Sequence, residues 1–226
     1  MTSATRNARE VTVSKSVMEQ AAAAAESGVR DRSAYDIAAE IEAKVTAKLE
    51  AAMARPRTED AELQGWWDIW AIGPIQPTIG TGPVQPGCIA KQGEPVYAYS
   101  ILVLNPFLPL PGPSNAAKLL SDFGLPYEVQ FQTSNMTLMV PAGTDAQNDH
   151  FNPGQYVYVS FTQLPTNLLG MHETNILARI EGAGVPASAP QFGGFATAIF
   201  DLENHTPFGP NAGFRLNQSL RYVVYP

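Results

Sequence analysis

The stretch Tyr127-Glu128-Val129-Gln130-Phe131-Gln132 decides the fold class. Large apolar residues take every second position and polar ones fill the gaps, the period of a strand with one buried and one wetted face. The same period runs through Tyr156 to Thr162, Ile176 to Glu181, Phe195 to Phe200 and Leu220 to Tyr225. Trp66–Ile72, Pro95–Leu104 and Met136–Val140 are further strand candidates. Asn105-Pro106, Asn152-Pro153-Gly154 and Phe208-Gly209-Pro210-Asn211 separate them with turn-forming residues. About eight short strands so divided predict a mainly β fold, an antiparallel β-sandwich or jelly roll. Val157, Val159 and Phe161 oppose Tyr156 and Tyr158 in one strand, so both faces of that sheet are expected to be covered.

Upstream of these strands the period changes. Ser16 with Glu19, the alanine run Ala21 to Ala25 and Gly28 outline one helix. Ser33 with Asp36 opens a second, and Arg55-Pro56 ends it. Ile37, Ile41, Val45, Leu49 and Met53 recur every fourth residue, which sets them along one narrow stripe. The chain is therefore read as a helical N-terminal arm, residues 1–64, and a β-sandwich domain, residues 65–226. The stripe must be buried, either on the chain's own β-domain or on a neighbouring subunit.

Charge is spread unevenly. The chain carries a formal net charge of −7, from 14 basic and 21 acidic side chains. Residues 65–226 hold only five Lys/Arg and ten Asp/Glu, about 9% of positions against roughly 25% in ordinary soluble domains. Lys91, Lys118, Arg179, Arg215 and Arg221 are too widely spaced to build a basic stripe, so nucleic acid is not an expected partner. A surface with so little charge either relies on amides and hydroxyls or is covered by a partner. No run of about 18 apolar residues suggests a membrane span. The single cysteine, Cys88, excludes an internal disulfide and reads as a small buried residue. No apolar stretch follows the polar Met1–Glu10, so residence in the cytoplasm, or in a particle assembled inside a cell, is expected.

Gly73-Pro74-Ile75-Gln76-Pro77 and Gly82-Pro83-Val84-Gln85-Pro86 form a short repeat. Proline cannot donate to a ladder, so neither copy is expected in a sheet centre. Phe107-Leu108-Pro109-Leu110-Pro111-Gly112-Pro113 is proline-rich and apolar, either folded back or an interface element. Trp66 and Trp70 would share one strand face with Trp67 on the other. His150, His172 and His205 lack metal-binding spacing, and no nucleophile elbow, phosphate loop or dinucleotide fingerprint is present. No cofactor, metal or catalytic residue is nominated, and a non-enzyme is expected.

Two functions remain open. The first is a structural or assembly protein forming a homo-oligomer or larger assembly. Its subunit contacts would come from Ile37, Ile41, Val45, Leu49 and Met53 of the arm and from Phe107, Leu108 and Leu110. The second is a sandwich module binding a carbohydrate or small apolar molecule on Trp66, Trp70, Tyr156 and Tyr158.

Overall fold

The computed structural model describes residues 33–54, 66–77, 86–107, 115–180, 192–199, 202 and 219–226. The first helix expected at Ser16–Gly28, the second copy of the repeat from Gly82 to Gln85, Leu108, Leu110 and His205 lie outside these residues.

Helix α1 spans Ala34–Met53 and begins where the capping box requires. Ser33 Oγ accepts from the Asp36 amide at 3.2 Å, and Asp36 Oδ2 accepts from the Ser33 amide at 2.9 Å. Two otherwise unsatisfied N–H groups of the helix start are thereby paired.

Among the described residues ten strands follow: β1 (Trp67–Ile75), β2 (Ile89–Lys91), β3 (Tyr97–Leu104), β4 (Pro126–Asn135), β5 (Val140–His150), β6 (Val157–Gln163), β7 (Gly170–Ile180), β8 (Phe192–Phe195), β9 (Thr197–Ile199) and β10 (Leu220–Tyr225). A short helix, α2 (Ala116–Asp122), lies between β3 and β4. The front sheet has the order β6-β3-β1-β9 and the back sheet β2-β10-β7-β4-β5, with β8 beside β7. The expected β-sandwich is what forms. Most pairings are antiparallel, but β1 with β9 and β10 with β2 are parallel.

Between the sheets lies one apolar core, including Leu102, Leu104, Val129, Phe131, Ile176, Leu220 and Tyr222. A second core lies on the other side of the front sheet. There Ile37, Ile41, Val45 and Leu49 meet Trp70, Ile72, Tyr99, Ile101, Val103 and Val157. The molecule is thus layered helix on sheet on sheet, which explains why β6 is apolar on both faces. Tyr99 donates its hydroxyl to the Ala34 carbonyl at 3.2 Å, fixing the start of α1 over the sheet.

Four sequence expectations need correction. Met136–Met139 is a turn rather than a strand, and a strand, β5, follows it where the sequence pattern marks none. No residue of 140–150 is buried, and β5 forms by hydrogen bonding along β4 rather than by burying a side. The run from Phe195 to Ile199 is not one strand. Phe195 pairs with Leu177 in the back sheet, whereas Thr197 pairs with Trp70 in the front sheet. Gly73-Pro74-Ile75 does lie in a central strand, because the register shifts between Ile72 and Ile75 and lifts Gly73 and Pro74 out of the ladder. Finally, Cys88 is exposed.

Candidate functional site

The residues proposed for subunit contact do not share one surface. Ile37, Ile41, Val45 and Leu49 are at most 4% exposed, and the chain's own front sheet covers them. The reading of that stripe as a face offered to a neighbour is therefore corrected: the stripe is already spent within the chain. Met53 at the end of α1 is exposed, and Phe107 is half-buried against the helix-side core.

The four aromatic candidates are likewise dispersed. Trp70 packs on the helix side, while Trp66 and Trp67 pack on the inter-sheet core. Trp66 precedes β1, so strand alternation does not govern it, and it does not share a face with Trp70. Trp70 is buried and donates its Nε1–H to Asp68 Oδ2 at 3.0 Å. Tyr158 is buried with Tyr127 and Phe151 at ring-centroid distances of 5.5 and 5.0 Å. Its hydroxyl accepts from the Asn152 amide at 2.8 Å and lies 3.0 Å from the Gln155 carbonyl. Burial pushes the Tyr158 phenol well above its ordinary pKa. Tyr156 is half-buried between both cores. These rings support structure, and no single open platform unites them.

The surface that alternation alone did not reveal is the outward face of the back sheet. In β10, Leu220, Tyr222 and Val224 turn inward, which sends Arg221, Val223 and Tyr225 outward. Val223 is registered with Met171 of β7 on one side and Ile89 of β2 on the other. Ile89, Val223 and Met171 are 64%, 44% and 43% exposed. They form an apolar row across three strands, because registered neighbours project to the same face. The row continues into the turn after β4, where the Met136 amide donates to the Met171 carbonyl at 2.7 Å. Leu138 and Met139 of that turn and Val140, the first residue of β5, are exposed too.

Beside the row, Arg221 Nε donates to Glu173 Oε2 at 3.0 Å, and Lys91 of β2 is exposed on the same face. Toward the other end of β7, Arg179 Nη2 donates to Glu128 Oε2 at 2.9 Å. Farther across, Gln130, Gln132 and Ser134 of β4 give an amide and hydroxyl surface. A signal for the row existed in the sequence: Val223 and Tyr225 lie opposite Tyr222 and Val224, so that strand is apolar on both sides.

Directly under the row is a buried polar cluster. His172 is fully buried and stacks on Tyr222, with centroids 5.0 Å apart and planes at 15°. Its Nδ1 lies 3.1 Å from the Gly170 carbonyl and its Nε2 lies 3.2 Å from Asn135 Nδ2. Thr133 and Thr174 join hydroxyls at 2.8 Å two register pairs away, on the same face. Burial lowers the His172 pKa, partly offset by the Gly170 carbonyl.

Among the described residues, no group of three or more His, Cys, Asp or Glu side chains is placed to hold a metal ion. None of the described helices is long and apolar enough to cross a membrane. No protein-family model matches the chain, and no curated protein does.

Proposed function

We propose that this chain is a structural or assembly protein that self-associates through the outward face of its back sheet. The row Ile89, Val223 and Met171 carries the reading, since it is an exposed apolar strip that crosses three registered strands. Beside the row Arg221 is paired with Glu173, so that charge does not oppose a copy of the same face, and Lys91, two residues along β2 from Ile89, is the exposed charge that a copy has to accommodate. The partner is a second copy of the chain rather than nucleic acid, in keeping with the scarcity of Lys and Arg. A compartment inside the cell fits the single, exposed cysteine.

The test is light scattering on the full chain, whose protomer mass is 24.3 kDa. The expected result is a multiple of that mass at high micromolar concentration. Val223→Lys with Met171→Lys should return the protomer mass while leaving the thermal unfolding curve nearly in place. A wild-type chain that stays at protomer mass throughout overturns the proposal.

A further inference from the structure

We propose that His172, Asn135 and Gly170 form a proton-operated latch that holds the 136–139 turn closed at neutral pH and releases it in acid. This holds whether or not the chain self-associates.

The hydrogen-bond partners dictate the protonation state. The Gly170 carbonyl can only accept, so His172 Nδ1 carries the proton. Asn135 Nδ2 can only donate, so Nε2 is bare. The amide of Asn135 has one workable orientation. Its Oδ1 accepts from the Leu138 amide at 2.8 Å, and its Nδ2 also donates to the Leu169 carbonyl at 3.0 Å.

A second proton on the imidazole places an N–H against the Asn135 NH₂ group. Turning the amide over would repair that contact but would set Nδ2 against the Leu138 N–H and Oδ1 against the Leu169 carbonyl. Every arrangement of the protonated ring therefore leaves a buried polar group unmatched.

Among the described residues, the surroundings offer the imidazolium the face of Tyr222 and the Gly170 carbonyl but no counter-charge. From β10 comes Tyr222, whose phenol burial keeps neutral and whose hydroxyl donates to the Pro165 carbonyl at 2.9 Å. From β4 come Asn135 and Thr133, both uncharged. Glu173 is next in the chain but lies on the opposite sheet face, paired with Arg221. Glu94, in the turn tied to Thr166, is exposed and bonded to Gln76.

The latch closes on a defined segment. Met171 donates its amide to Thr137 Oγ1 at 2.8 Å, and Gly170 leaves no room for a side chain there. A Cβ on Gly170 would come within 2.5 Å of Thr137 Oγ1. Opening would free the turn that bears Leu138 and Met139.

The test is ¹⁵N spectroscopy of the His172 ring in the full chain, together with amide exchange at Leu138 corrected for intrinsic pH dependence. The expected ring carries its proton on Nδ1 at pH 7 and takes up the second only below the ordinary histidine value of about 6.5. Leu138 should lose protection, at least tenfold, over that same interval. His172→Gln retains an acceptor for Asn135 without titrating, and it should keep Leu138 protected throughout. A ring protonated on Nε2, an ordinary or raised titration, or Leu138 protection indifferent to acid would each overturn the latch. If the variant does not fold, the wild-type ring spectrum and Leu138 exchange decide.

Discussion

On the front sheet, Tyr99, Ile101 and Val103 face outward and are hidden by α1. On the back sheet, Ile89, Val223 and Met171 face outward and remain in water. Both faces belong to the part of the chain that is poor in charge. Scarce charge signals that a face needs cover, but it does not say whether the cover comes from the same chain. For the front sheet it does, through a capped amphipathic helix. For the amide-rich side of the back sheet no cover is needed. Among the described residues, the row at its far side and Phe195 of β8 are left wanting one.

Substitutions can break this contrast, and the largest effect is expected under the helix. Ile41→Ala empties a site sealed between α1 and the front sheet, and should cost about 2–5 kcal/mol by urea denaturation. Next is Gly170→Ala, since φ is +111° and Thr137 occupies the space; a loss of about 1–3 kcal/mol is expected. Smaller still is Glu42→Gln on α1. Burial raises the Glu42 pKa, while Gln155 Nε2, donating at 3.0 Å, opposes that shift. A carboxyl raised on folding favours the folded state below its unfolded value and loses that advantage as pH rises through the folded value. The glutamine variant should therefore gain on the wild type at pH 7, and the gain should vanish below about pH 4. The smallest effect belongs to the open row: Val223→Thr should change monomer stability by less than about 0.5 kcal/mol. A drop comparable to that of Ile41→Ala would mean the row is covered after all.

Much of this arrangement was legible. The Ser33–Asp36 box, the four-residue stripe and the alternation in β4, β7 and β10 are local patterns, and local patterns survive into the fold. What failed was decided elsewhere in the chain. β5 has no apolar side to announce it and exists because β4 offers a partner edge. The stripe of α1 could be read, but not which sheet would receive it. Nothing near His172 in sequence points to Asn135, 37 positions away; only the register of β4 on β7 joins them. The row on the back sheet needed three strands in register before Ile89, Val223 and Met171 became neighbours.

The passage from Phe195 to Thr197 has a mechanical consequence. Within two residues the backbone leaves one hydrogen-bonded layer and enters the other, so the layers are stitched together at that margin. Prying them apart would tear ladder bonds on both sides at once. Loss of either sheet should therefore drag the other with it, in a single cooperative melt.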